Sequence, residues 1–178
     1  MVKLVSKIIS KIKHREYKID ENITDKDLFS IVATRFFMLI RGFFVTIGFK
    51  KRSKINFIGR KVKIKSKNHI ECASGLTIND NCTINALCKG GVKIGNNFSL
   101  GQNSIIECTG VIRELGESLV IGNDVGISPN AFISVRGNVK IGDSTIFGPG
   151  VSYFPKTIFL KIKARRYIYK AQHARALK

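Results

Sequence analysis

Between Ile94 and Ser152 the chain repeats every six residues, and this spacing constrains the fold more than any other feature. Ile94-Gly-Asn-Asn-Phe-Ser runs into Leu100-Gly-Gln-Asn-Ser-Ile. Ile121-Gly-Asn-Asp-Val-Gly runs into Ile127-Ser-Pro-Asn-Ala-Phe, and Ile141-Gly-Asp-Ser-Thr-Ile into Phe147-Gly-Pro-Gly-Val-Ser. An aliphatic or aromatic residue leads each six, and a small or polar residue follows it. A small or β-branched residue usually stands fifth. A six-residue period is neither helical nor simple strand alternation; it marks a solenoid of short strands with a corner in every six. A β-sandwich with Gly/Asn turns would not keep this phase.

The spacing sets further expectations. The leading Ile94, Leu100, Ile121, Ile127, Ile141 and Phe147 point inward and stack on their counterparts in neighbouring coils. The fifth residue also faces inward and must be small, because the section is narrow. Gly and Asn at the corners tolerate left-handed backbone angles. One coil cannot bury its apolar face alone, so stacking makes the core. From Phe57 to Lys89 the sixes are less regular, led by Ile58, Ile64, Ile70, Ile78 and Ile84, with Leu76 out of step. Ile58 to Ile78 spans 20 residues, Ile78 to Ile94 spans 16, and Ile121 to Ile141 spans 20. Ile94 to Ile121 spans 27, which places an insertion near Gly110–Glu117.

Charge divides the chain into the same parts. Residues 1–67 hold 18 Lys/Arg against 5 Asp/Glu, residues 68–155 hold 5 against 7, and residues 156–178 hold 8 against none. The overall +19 would ordinarily point to nucleic acid or anionic membrane. Because the repeat region is slightly acidic, a nucleic-acid groove on the folded body is not expected. The organisation read from the sequence is a basic arm and amphipathic helix over 1–56, a β-helix over 57–155, and a basic irregular tail over 156–178.

Within the first part, Thr24 is placed to cap a helix, with Asp25 and Asp27 at its positive end. Positions 28, 32, 36, 39, 40, 43 and 47 share one apolar face, and Gly48 suits the end. Lys50, Lys51, Arg52 and Lys54 follow. A membrane span would bring Arg35 and Arg41 into hydrocarbon, at roughly 2.5–3.5 kcal/mol each. The helix therefore either lies in an anionic membrane interface through residues 24–54, or packs on the open first coil, or does both. No secretory signal is expected, since Lys3, Lys7, Lys11 and Lys13 break the early apolar run.

Cys72, Cys82, Cys88 and Cys108 form no Cys-x-x-Cys pair, and they read as small core residues in a reducing compartment. Cys72 and Cys108 each end an Ile-Glu-Cys triplet, which suggests equivalent coil positions. His14, His69 and His173 have no metal-binding spacing, and no metal site is expected.

The Ile-Gly sixes, with Phe147-Gly-Pro-Gly-Val-Ser the most specific, resemble the hexapeptide-repeat acyltransferases from about Phe57 to Pro155. The fold this implies is a mainly β, left-handed parallel β-helix, here with an N-terminal amphipathic helix. The order of helix, Arg41-Gly42, basic linker and Phe57-Ile58-Gly59 resembles membrane-associated polysaccharide O-acetyltransferases. That resemblance implies a trimer using acetyl-CoA as co-substrate and a glycan acceptor, cytoplasmic and peripheral on the inner face of a bacterial membrane. A His would act as general base and backbone amides would stabilise the oxyanion.

This chain departs from the family pattern. Where the family continues Glu-Asn-His after a Pro, position 158 is Ile158, so no catalytic residue is assigned. Ser128 and Asn130 occupy the stretch where the family presents an acceptor-facing Asn, and the same two residues equally suit a plain corner. Read one base out of frame, codons from Pro155 onward can give Glu-Asn-His, then Gln-Gly across Tyr169–Ala171 and Lys-Gly-Ile across Ala174–Leu177. The resemblance thus implies a transferase truncated by a frameshift and inactive. The competing reading is a non-catalytic β-helix serving as scaffold or membrane-docked interaction module.

Overall fold

A computed structural model describes Asp20 and residues 23–154. The basic arm, the out-of-frame reading of the tail, His14 and His173 lie outside the described residues. Among the described residues one α-helix, α1 (Asp25–Val45), precedes sixteen short strands. The first coil holds β1 (Asn56–Ile58), β2 (Lys63–Lys65) and β3 (Ile70–Cys72). The second holds β4 (Leu76–Ile78), β5 (Thr83–Asn85) and β6 (Val92–Ile94). The third holds β7 (Ser99–Leu100), β8 (Ile105–Glu107), a hairpin of β9 (Thr109–Val111) and β10 (Glu114–Leu115), and β11 (Ser118–Ile121). The fourth holds β12 (Gly126–Ile127), β13 (Phe132–Ser134) and β14 (Asn138–Ile141), and β15 (Ile146–Phe147) and β16 (Ser152–Tyr153) open a further turn.

These strands stack into three parallel sheets, a β-solenoid of about four turns. One sheet runs β1-β4-β7-β12-β15, a second β2-β5-β8-β13-β16 and a third β3-β6-β11-β14. Among the described residues only the β9–β10 hairpin is antiparallel. The six leading residues named from the sequence all face the core: Leu100 and Ile127 are at most 2% exposed, and Phe147 is 6%. Among the described residues no buried side-chain nitrogen or oxygen lacks a partner.

The register corrects the coil count near the start. Ile78 pairs with Leu100, not with Ile94, which pairs with Cys72 on another sheet. Two corners keep six residues between leading positions in every coil, as from Ile94 to Leu100 to Ile106. The third corner never does. Ile64 to Cys72 is eight residues, Ile84 to Ile94 ten, Ile106 to Ile121 fifteen and Ile133 to Ile141 eight. A count in sixes slips whenever it crosses that corner. The 27-residue interval is accounted for by the β9–β10 hairpin, where the insertion is expected.

Two further expectations change. The fifth position is small along one corner, where Cys82, Ser104 and Ala131 are buried. At the preceding corner it holds Leu76, Phe98 and Val125, with Phe98 wholly buried. The section therefore has room for a large ring on that side. The corner glycines are of two kinds. Gly75 and Gly150 share the left-handed corner position with Asn81, Asn97, Asn103, Asp124 and Asn130, whose φ lies between 55° and 61°. Gly95, Gly101 and Gly122 do not; a Cβ on any of them would run into the backbone of the next coil. Close approach, not left-handed backbone, requires those glycines.

α1 closes the N-terminal end of the solenoid. Thr24 Oγ accepts from Asp27 N at 3.2 Å, the expected cap, and Gly48 has φ of +93° just past the end. The helix meets β1 so closely that a Cβ at Gly42 would overlap the carbonyl of Asn56. Arg41 Nε donates to Ile58 O at 3.0 Å. Buried Thr46 donates its hydroxyl to Gly42 O at 2.7 Å and accepts from Asn56 Nδ2 at 3.5 Å.

Candidate functional site

Ser128 and Asn130 come together at one corner, between β12 and β13. Ser128 is half-buried; its N–H donates to Phe147 O at 3.1 Å, and its carbonyl accepts from Ser104 Oγ at 3.4 Å. Asn130, with φ of +61°, is exposed and receives a hydrogen bond from Asn103 Nδ2 at 3.3 Å. Asn103 in turn accepts from Asn81 Nδ2 at 3.2 Å. Asn130 is thus the last of three asparagines laddered along one edge, each holding a left-handed turn. The contacts of both residues are those of a corner.

His69 is the one histidine among the described residues. It ends a 3-10 turn (Lys67–His69) at the variable corner, with Nδ1 3.1 Å from Cys88 O. Among the described residues no group of three His, Cys, Asp or Glu is arranged to hold a metal.

The four cysteines are free and buried. Cys72 and Cys108 are not equivalent, contrary to the triplet reading. Cys72 lies on β3 beside Ile94, whereas Cys108 follows β8 on another face. Both triplets alternate inward, outward, inward, so the pattern matched while the faces differed. Burial pushes the Cys72 and Cys82 thiols above the ordinary range. Contact with Cys88, then burial, does the same to Cys108. The same contact draws the Cys88 thiol below its ordinary range, whereas the neutral buried thiols are poor nucleophiles.

The feature that the fold leaves unsatisfied is on α1. Leu28, Met38 and Gly42 are buried, and Val45 packs on the core. Nine large apolar side chains stay exposed: Phe29, Ile31, Val32, Phe36, Phe37, Ile40, Phe43, Phe44 and Ile47, with Phe29 at 66%. Of the face read from the sequence, Leu28 turns inward and Leu39 is partly covered, while positions 32, 36, 40, 43 and 47 form the outer stripe. The helix thus has two faces, and the capping one was not legible as a separate stripe because it mixes Leu28, Met38 and Val45 with Gly42 and Thr46. Charge is sorted between them. Arg41 reaches Ile58 and Arg35 lies 5.7 Å from the Phe57 ring centre, both toward the solenoid. Arg52 stacks 5.2 Å over Phe43 at the edge of the outer face and donates to Phe43 O at 3.3 Å. By length and composition alone, α1 is also long enough to cross a membrane.

No protein-family model, curated protein or solved structure matches this chain.

Proposed function

We propose that this chain is a β-helix of the membrane-associated polysaccharide O-acetyltransferase type, docked on an anionic membrane surface through α1 and itself inactive. The observation that carries the docking is the outer stripe of α1. Val32, Phe36, Ile40, Phe43 and Ile47 line it with other exposed rings beside them, and a contiguous apolar patch of this kind marks an interaction or membrane surface. Its occupant is lipid, because its rim is basic: Arg52 stacks on Phe43, and Lys50, Lys51 and Lys54 adjoin it. An in-plane pose is preferred to a span, since Arg35 and Arg41 engage β1 and its flank along the helix.

The transferase part rests on the hexapeptide resemblance. In that family a left-handed, trimeric β-helix moves an acetyl group from acetyl-CoA to a sugar hydroxyl, with a His as base. Here Ile158 stands in place of the base, and Ser128 in place of the acceptor-facing Asn. The proposed origin of the basic tail is a frameshift after Pro155. A shifted frame that is not open after Pro155, or that encodes no further Ile-Gly sixes, would refute that origin. General acid–base help is worth roughly 10²–10⁴-fold. The 178-residue protein is therefore expected to transfer no acetyl group above background to a polysaccharide acceptor, while the frame-restored protein turns over and trimerises. Turnover by the 178-residue form would overturn the inactive reading.

A non-catalytic scaffold is the second reading. It is favoured by the corner geometry of Ser128 and Asn130, whose contacts all serve the turn. It predicts no transfer by either form.

A further inference from the structure

The third sheet carries an outward column of Lys51, Glu71, Lys93, Val120 and Lys140. The column is set by the Lys51–Glu71 bridge and the β3-β6-β11-β14 register. Lys51 is fixed as a single-residue rung beneath β3: its N–H donates to Ile70 O at 3.3 Å, and its carbonyl accepts from Cys72 N at 2.9 Å. Beside this column lies an open groove of about 290 Å³, edged by Lys51, Glu71 and Lys93 and floored by Ala73 and Gly95. Lys50 Nζ sits 2.7 Å from Glu71 Oε1. That hydrogen bond, with smaller help from Lys93 and Lys51, holds the Glu71 carboxyl below its ordinary range. Among the described residues neither Lys51 nor Lys93 is in an ion pair, so two ammonium groups remain over the groove once Lys50 answers Glu71. They stand two rungs apart, roughly 10 Å at the backbone, a gap that two long flexible stems can close around one anion.

We propose that this groove binds the phosphate of an anionic lipid headgroup, with Lys51 and Lys93 as its ligands and Lys50 drawing Glu71 aside. The volume admits one headgroup and little more, being at the lower limit of ligand pockets. Lys50 and Lys51 lie five and six residues past the end of α1, so the groove opens from the segment that leaves the lipid-facing helix. The choice of a lipid rests on the membrane reading; the anion chemistry does not.

The test uses the full chain with phosphatidylcholine vesicles prepared with and without phosphatidic acid. At ~1 kcal/mol per lysine, Lys51→Ala with Lys93→Ala should weaken the preference for phosphatidic acid roughly 30-fold. Glu71→Gln should strengthen it. Lys63→Ala with Lys65→Ala removes the same charge from another sheet and should change it far less. Equal loss from both pairs, or no loss from the first, overturns the groove. Should the protein bind neither vesicle, the membrane reading fails alone. The groove is then judged by titrating inorganic phosphate and following the Ala73 and Gly95 amide resonances. Shifts that vanish in the Lys51/Lys93 variant support it, and their absence in the unmodified chain overturns it.

Discussion

The solenoid and α1 are both built from aliphatic and aromatic residues, yet they dispose of them in opposite ways. In the solenoid the leading residues are covered by neighbouring rungs and, at β1, by α1, and Ile58, Leu100 and Ile106 reach zero exposure. In α1 the inner face makes its contact with few large side chains, using Gly42 and Thr46 to bring backbone against backbone. The large side chains are on the other face. Apolar content alone therefore does not identify the core; what matters is whether the fold supplies a partner. A repeat supplies its own, and a capping helix supplies one for a single face.

This contrast is most strongly tested by truncating one ring in each region. Phe98→Ala should destabilise the fold by ~3–5 kcal/mol, as expected for a fully buried aromatic. Phe36→Ala should stay within about 0.5 kcal/mol in the absence of lipid. Chemical denaturation measures both, and comparable losses would mean that the outer face is already covered in solution.

The join between the regions comes next. Gly42→Ala places a methyl group against the Asn56 carbonyl and should cost ~1–3 kcal/mol, with earlier amide exchange in β1 than in β12. Uniform exchange would show that α1 is not a separable cap. A smaller effect is expected at the corners. Asn103→Ala forces a left-handed angle on alanine, at roughly 1–2 kcal/mol, and cuts the ladder between Asn81 and Asn130.

The smallest effect is electrostatic. The carboxyl of Glu71 is held low, so its pairing with Lys50 stabilises the fold above the unfolded carboxylate range. That contribution is lost as pH falls through the folded value. Lys50→Ala should bring the Glu71 titration, followed by carboxyl NMR, back toward the ordinary range.

Much of this was legible in the chain. The six-residue phase from Ile94 onward gave the solenoid and its inward residues, and Thr24 gave the helix start. The phase failed before Ile94 because the third corner has no fixed length. Ile78 was therefore counted to Ile94 instead of to Leu100. Cys72 and Cys108 were misaligned for a related reason: in-out-in alternation is the same on every sheet, so a triplet does not reveal its face. The capping face of α1 was hidden because Leu28, Met38 and Val45 read as part of one apolar run, and the close backbone approach adds only Gly42 and Thr46 as its trace. The groove was hidden because Lys51, Glu71 and Lys93 are 20 and 22 residues apart and meet only by register.

The central claim is that the outer face of α1 docks on lipid while its inner face caps the solenoid. Co-sedimentation with phosphatidylglycerol vesicles, comparing the unmodified chain with a Phe36→Ser, Phe43→Ser variant, tests it directly. The account predicts that the unmodified protein pellets with the vesicles and that the variant stays in solution with an unchanged melting temperature. Equal pelleting of both proteins, or of neither, would contradict it.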